Sequence, residues 1–252
     1  MHTLFFARGV SRCAAHIPGL IRHRAGWLLY VLLVCAGYAT AQVAPDEYRL
    51  ALNKIADGQS PTGWVAAATQ PSGPLAQWRV GADTATPGGA KVLTIERIQD
   101  KSSGVFNLYW TKQVTFQNGE LSVRMRANSG NIDQGGGLMW RVRDENNYYV
   151  ARFNPLESNL RLYYVKQGSR TMLASSERLL ALPGEWVQLR IAHHGQRIQG
   201  WFNKTLAWEI SDVQLPDGGG VGLWSKADAA SSFADFVARS KPTKYSERLR
   251  DE

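Results

Sequence analysis

Beyond residue 41 this 252-residue chain has no cysteine; its two, Cys13 and Cys35, both lie before that point. The absence excludes disulfide staples, thiolate metal centres and a thiol nucleophile from the bulk of the chain, so its stability must come from a buried core. Histidine is nearly as scarce. Only His193 and His194 follow residue 41, side by side before Gly195, where an exposed turn pair is expected rather than a base or a metal ligand. No apolar run after residue 41 approaches the roughly 20 residues of a membrane-spanning helix, and no long helical period appears. The glycine triplets Gly135-Gly136-Gly137 and Gly218-Gly219-Gly220 lack the Lys-Ser/Thr of a phosphate loop and read as tight strand entries. Charge is nearly balanced as well. The formal +8 includes Arg8, Arg12, Arg22 and Arg24; without them 25 Lys+Arg stand against 21 Asp+Glu, a net +4. So mild a balance calls for no nucleic acid.

What is present starts with a secretory signal over residues 1–41. Four arginines precede an apolar core, Trp27 to Ala39, and Ala39-Thr40-Ala41 supplies the small-x-small cleavage pattern. The remainder is therefore expected to be exported, periplasmic or extracellular, with no lasting membrane insertion once the leader is removed. Over residues 42–57, Tyr48, Ala51, Leu52 and Ile55 have the spacing of one short amphipathic helix. Residues 58–238 read as short strands punctuated by turn residues, and the charged segment 239–252 as a flexible tail. Strands separated at this spacing, with no second core to build, predict a single all-β sandwich of two antiparallel sheets.

The run from Gly135 to Ser175 says most about function. It folds on paper into successive hairpins whose strands alternate faces with a period of two. Pairing Arg143 with Tyr148 and Asn154 with Asn159, and turning at Gln167-Gly168, places Leu138, Trp140, Val142, Tyr149, Ala151, Phe153, Leu160, Leu162, Tyr164 and Leu173 on one face. The other face carries Met139, Arg141, Arg143, Tyr148, Val150, Arg152, Arg161, Tyr163, Arg170 and Met172. Around His194-Gly195 a further hairpin sets Val187, Leu189 and Ile191 against Phe202, Gly200 and Ile198, with Trp186 and Trp201 as a second aromatic pair on the opposite side. Guanidinium groups fork onto carboxylates, sulfates or paired hydroxyls, and aromatic rings stack on sugar faces. Arg141, Tyr148, Arg152, Arg161, Tyr163 and Arg170 therefore form a candidate ligand-binding set; the competing reading is a solvated face on which arginine methylenes cover their neighbours.

The succession Gly-Gly-Leu-Met-Trp-Arg, Asn-Asn-Tyr-Tyr-Val-Ala-Arg-Phe-Asn, Asn-Leu-Arg-Leu-Tyr, Gly-Glu-Trp-Val-Gln-Leu-Arg-Ile, Gly-Val-Gly-Leu-Trp-Ser-Lys-Ala-Asp and Phe-Ala-Asp-Phe resembles the concanavalin A-like lectin/glucanase superfamily. Within it, the chain is similar to exported jelly rolls related to laminin G-like modules and to the 3-keto-disaccharide hydrolase family, over about residues 58–237. The resemblance implies a concanavalin A-like jelly roll and leaves chemistry open, since a fold hosts many functions. The Glu-x-Asp-x-x-Glu motif of family 16 glucanases is absent. Noncatalytic recognition of a polar or acidic carbohydrate on a concave sheet face is thus the leading expectation. The alternatives are a glycoside-acting enzyme using Asp133, Asp144, Asp228 or Glu120, and a module binding an envelope protein. No cofactor is required. The resemblance does imply a structural calcium between an N-terminal loop and the last strand, places occupied here by Asp57 and Asp235, although Ca²⁺ takes six to eight oxygens.

Overall fold

The computed structural model describes residues 47–86, 90–96 and 98–241. The signal at 1–41, the start of the lead-in and the tail beyond Lys241 lie outside the described residues. Among those described there are fifteen strands, numbered along the chain, and one 3-10 turn at Leu52–Lys54. No described helix is long and apolar enough to cross a membrane.

Two antiparallel sheets hold the strands. The larger runs β13 (Thr205–Ser211), β12 (Arg197–Phe202), β11 (Trp186–His194), β6 (Asn118–Ser129), β15 (Ala230–Lys241), β4 (Lys91–Ile95) and β3 (Trp78–Ala82), with β1 (Glu47–Arg49) also on β15. The smaller runs β10 (Ser169–Glu177), β9 (Asn159–Lys166), β8 (Asn147–Asn154), β7 (Gly136–Asp144), β14 (Gly219–Lys226), β5 (Phe106–Phe116) and β2 (Trp64–Thr69). Alternating side chains from both sheets meet in one core that includes Leu93, Phe116, Leu138, Trp140, Tyr149, Phe153, Leu189, Ile191, Leu223 and Phe233. This is the expected two-sheet jelly roll, with the hairpin faces sorted largely as the alternation requires.

The differences from the expectation are local and physical. The described part of the lead-in is a strand and a 3-10 turn and not one amphipathic helix: Tyr48 sits opposite Ala238 in β1, so the backbone of 47–49 is satisfied by β15. β15 also runs three residues into the segment expected as tail. In the β7–β8 hairpin, Trp140 faces Tyr149 and Leu138 faces Ala151, a slip of two from the expected pairing, with the ladder broken between Trp140 and Asp144. A bulge there puts Arg141 at φ 48° and turns Arg141 and Val142 to the opposite faces from those expected. The β11–β12 register slips by two as well, so that His193 pairs with Ile198 and enters the core.

The seven-stranded sheet has a second buried cluster on the face turned away from its partner sheet: Phe106, Leu108, Trp110, Met139, Val142, Tyr148, Val150, Tyr163, Val165 and Trp224. Contacts between distant strands show how it forms. The sheet coils until the end of β2 reaches the β7–β8 and β9–β10 turns, where Thr69 donates to the carbonyl of Glu145 and Gln70 Nε2 to that of Gly168 at 3.0 Å. Tyr148 then sits in a chain of donors. It accepts from Trp224 Nε1 (3.3 Å) and, because the Thr69 proton is committed to Glu145, gives its own proton to Thr69 Oγ1 (2.8 Å). Burial raises its pKa well above the ordinary phenol value.

Candidate functional site

The coiled face gathers five of the six residues expected to form the ligand set. Register alone aligns Arg152 with Arg161 and Val150 with Tyr163, Tyr163 with Met172 and Trp224 with Gly137. Arg152 is almost wholly buried. Its Nη2 donates to Asp133 Oδ2 (3.0 Å) and Glu157 Oε1 (2.9 Å), and its Nη1 to Glu157 Oε2 (3.2 Å) and Asn159 Oδ1 (3.3 Å). Asn154 Nδ2 bridges the same two carboxylates, and Lys226 Nζ stands 3.4 Å from Asp133. Arg161 closes the cluster against Glu157 at 2.7 Å. The Arg152 hydrogen bond, with Arg152, Asn159 and Arg161 around it, holds the Glu157 carboxyl down to about 2. Gly135 makes this approach possible: a Cβ there would stand 2.5 Å from Arg152 Nε and 2.6 Å from Asp133 Oδ1.

Arg170 is different. Its guanidinium lies over the rings of Tyr163 (4.3 Å) and Phe106 (4.8 Å), a double cation–π contact worth up to about 2 kcal/mol when partly desolvated. It makes neither an ion pair nor a hydrogen bond among the described residues. Phe106 stacks in turn on Trp224 at 5.2 Å. Two aromatic rings thus fix the position of a half-buried cation whose five N–H donors have no protein acceptor among the described residues, next to a carboxylate and arginine network that leaves Arg152 Nε buried without a partner.

The sixth residue, Arg141, does not join them. The bulge carries it to the end of the sandwich, where it is buried and donates to the carbonyls of Gln117 (2.7 and 3.0 Å), Leu215 (2.8 Å) and Gly195 (3.3 Å). Beside it lie Tyr149, whose hydroxyl donates to Asp212 and accepts from the Leu215 N–H (3.1 Å), and His193. The histidine is buried rather than exposed at a turn: Nδ1 accepts from Trp140 Nε1 (3.0 Å) and Nε2 donates to the Gly195 carbonyl (3.1 Å). Burial, reinforced by the Arg141 charge, pushes it down to about 3. This cluster is a polar plug of the core and holds no open donor for a ligand.

The four nominated carboxylates separate in the same way. Asp133 lies in the Arg152 network. Asp228 accepts from the backbone N–H groups of 131, 132 and 133 and so shapes the loop that delivers Asp133. Asp144 caps its own turn through Asn146 and Asn147, and Glu120 faces Arg190 at 3.6 Å on the other sheet. Asp57 and Asp235 do not fit a shared calcium site. Asp57 is bound to Lys91 (2.8 Å), Asp235 to Arg124, and no three His, Cys, Asp or Glu side chains gather to hold a metal among the described residues. Trp186 and Trp201 are each capped by an arginine, Arg126 at 5.2 Å and Arg190 at 3.5 Å. Sequence reasoning missed Glu157, which sat in an apparent turn, and the part played by Phe106 and Lys226. The alternation of Phe106, Leu108 and Trp110 on β5 was the available signal.

A two-sheet jelly roll with a coiled, aromatic-lined sheet face defines the class. Residues 52–235 match the 3-keto-alpha-glucoside-1,2-lyase-like domain, and the chain belongs to that family. No curated protein matches its sequence. Among solved structures it is similar to the carbohydrate-binding module CBM66 from Bacillus subtilis (17% identity, 70% of this chain and 96% of that one, TM-score 0.54). It is similar also to a galectin-like-fold protein of unknown function from Bacillus subtilis (12%, 76% and 94%, 0.51) and to the Bacillus licheniformis β-glucanase (13%, 78% and 98%, 0.50). At these identities the structures bear on the fold.

Proposed function

We propose that this is an exported carbohydrate-binding domain that takes a polar or acidic glycan at Arg170, where the coiled face of the seven-stranded sheet meets the Arg152–Asp133–Glu157 network. The observation that carries the reading is the unpaired Arg170 guanidinium held between Tyr163 and Phe106. Its donors are open to solvent rather than buried, and five held in place on two rings without a protein acceptor suit a sugar carboxylate or two neighbouring hydroxyls, while the flanking rings suit an apolar sugar face. Arg152 and Arg161 serve as the scaffold of this site, since most of their donors are engaged with Glu157, Asp133, Asn159 and Ser175.

A second reading is favoured by one feature. Asp133 and Glu157 both reach the same Arg152 Nη2, which brings two carboxylates together as glycoside cleavage requires, and the family is described by a lyase acting on a 3-keto-α-glucoside. Against it, Glu157 at about 2 stays ionised at neutral pH and is not set to give a proton, and both oxygens of Asp133 accept from fixed donors, Gly135 N–H and Asn154 on one and Arg152 on the other, with Lys226 paired at 3.4 Å. Calorimetric titration of neutral and acidic oligosaccharides into wild type, Arg170→Ala and Arg170→Lys tests the first reading. The expected result is binding weakened tenfold or more in Arg170→Ala and restored only in part by lysine, which lacks the fork; equal affinity in all three refutes the site. Product release in the same samples would establish the second reading.

A further inference from the structure

Nine large apolar side chains are exposed among the described residues, and four of them, Ile132, Leu156, Leu180 (84% exposed) and Leu182 (70%), stand on loops at one end of the sandwich. Those loops are fastened to one another and to the strand ends. Leu179 N–H donates to the Ser158 carbonyl (2.9 Å) and Gly184 N–H to that of Ala127 (2.9 Å). Asn154 Nδ2, at the foot of the 155–158 turn, reaches Asp133 in the 130–135 loop (3.2 Å). Scattered single apolar residues are ordinary on a protein surface. Four on neighbouring loop tips form a projecting apolar edge, which no fold-internal packing requires.

The open charges at this end are of one sign. The carboxylates of the three loops are engaged: Glu157 with Arg152 and Arg161, Asp133 with Arg152, and Glu185 with the Leu182 N–H (3.0 Å). Three exposed cations at the same end, Lys101, Arg178 and Lys204, form no ion pair among the described residues. Arg178 directly precedes the leucine loop. The loop of Lys101 is tied to the strand ends by Ala227 N–H on the Val105 carbonyl (3.1 Å), and the turn of Lys204 by Asn203 N–H on that of Gln188 (2.7 Å). The described chain begins and ends at the opposite end, where Glu47 faces Arg239 and Lys241 faces Asn118, the length of β15 or roughly 35 Å away. Apolar tips enter the acyl boundary of a bilayer while neighbouring cations stay with anionic headgroups. We infer that this end of the domain docks on an anionic lipid surface, with Leu180 and Leu182 entering the membrane interface and Lys101, Arg178 and Lys204 among the headgroups. The inference does not rest on the glycan site at Arg170.

Co-sedimentation of the full chain with vesicles of phosphatidylcholine, and of phosphatidylcholine containing about one-third phosphatidylglycerol, tests it, together with amide hydrogen exchange of residues 178–185. The chain should sediment with the anionic vesicles, less so at high salt, and exchange in 178–185 should slow when they are present. Leu180→Ser combined with Leu182→Ser should weaken this binding about tenfold or more and leave the melting temperature unchanged, because both side chains are exposed in the fold. Arg178→Glu with Lys204→Glu should weaken it severalfold on anionic vesicles. Wild type and variants share residues 1–41, so the difference between them reports the loops. Equal sedimentation of wild type and the double serine variant overturns the proposal, as does unslowed exchange in 178–185. Slowing that follows protein concentration without lipid would assign the edge to a second copy of the chain and overturn it as well.

Discussion

Arg141 and Arg170 are each more than half-buried and form no ion pair among the described residues, yet their surroundings are opposite. Arg141, at one end of the sandwich, gives its donors to three backbone carbonyls; Arg170, on the coiled face, gives its donors to nothing and rests on two rings. The first completes the hydrogen bonding of bulged and loop backbone, so its cost of burial is offset within the fold. The second is positioned but not satisfied. Residue type and burial therefore say little about whether an arginine serves structure or recognition; what decides is where its N–H groups end.

The comparison breaks or sharpens through substitutions that act on each environment. The largest effect is expected for Arg152→Ala, which leaves the buried Asp133 with Lys226 as its one cationic partner: a loss on the order of 3–5 kcal/mol in denaturant unfolding, and a loss under 1 kcal/mol would mean that the network is open to water. Arg141→Met should cost about 2–3 kcal/mol by stranding the carbonyls of Gln117 and Leu215 and leave glycan affinity unchanged in whatever fraction stays folded; weakened affinity at full folding would move Arg141 back into the ligand set. Third is a pH effect. His193 titrates lower in the folded than in the unfolded chain, about 3 against 6.5, so below pH 6.5 the unfolded state binds the extra proton and stability falls. Between pH 6.5 and 4.5 this amounts to roughly 2–3 kcal/mol. The paired carboxylates enter later: Glu157, depressed from 4.5 to about 2, contributes above pH 4.5 and loses that contribution as pH falls toward 2. Unfolding at pH 6.5 and 4.5 should show the difference in wild type and not in His193→Gln. The smallest effect is Arg170→Ala, with about 1 kcal/mol or less of stability from its ring contacts despite the large loss of binding.

Much of the fold was legible because strand alternation is a local property. Leu138, Trp140, Tyr149 and Phe153 point inward as their period of two requires, and Met139, Tyr148, Val150 and Arg152 point out. Pairing registers were legible only where no bulge intervenes. Asn154 does face Asn159, whereas the β7–β8 pairing slips by two because the two extra residues within 141–143 leave no mark in composition. That one irregularity removed Arg141 from the ligand set and brought Val142 into the outer cluster. His193 was misplaced for a different reason: no bulge interrupts β11–β12, and the turn begins at Gly195, one residue later than expected. The site itself was half legible. Tyr148, Arg152, Arg161, Tyr163 and Arg170 share their face by alternation, but the meeting of Arg170 with Phe106, five strands away in the sheet, depends on how strongly the sheet coils, a global property that no short window of sequence encodes.

The stitch from Trp224 through Tyr148 and Thr69 to the Glu145 carbonyl has a consequence for the shape of such a face. It ties one corner of the coiled sheet across to the far edge strand, and the apolar cluster fills the space behind it. Because three side chains, and not a ladder between neighbouring strands, make that tie, the curvature of this face is held by hydrogen bonds that a single substitution at Thr69 interrupts.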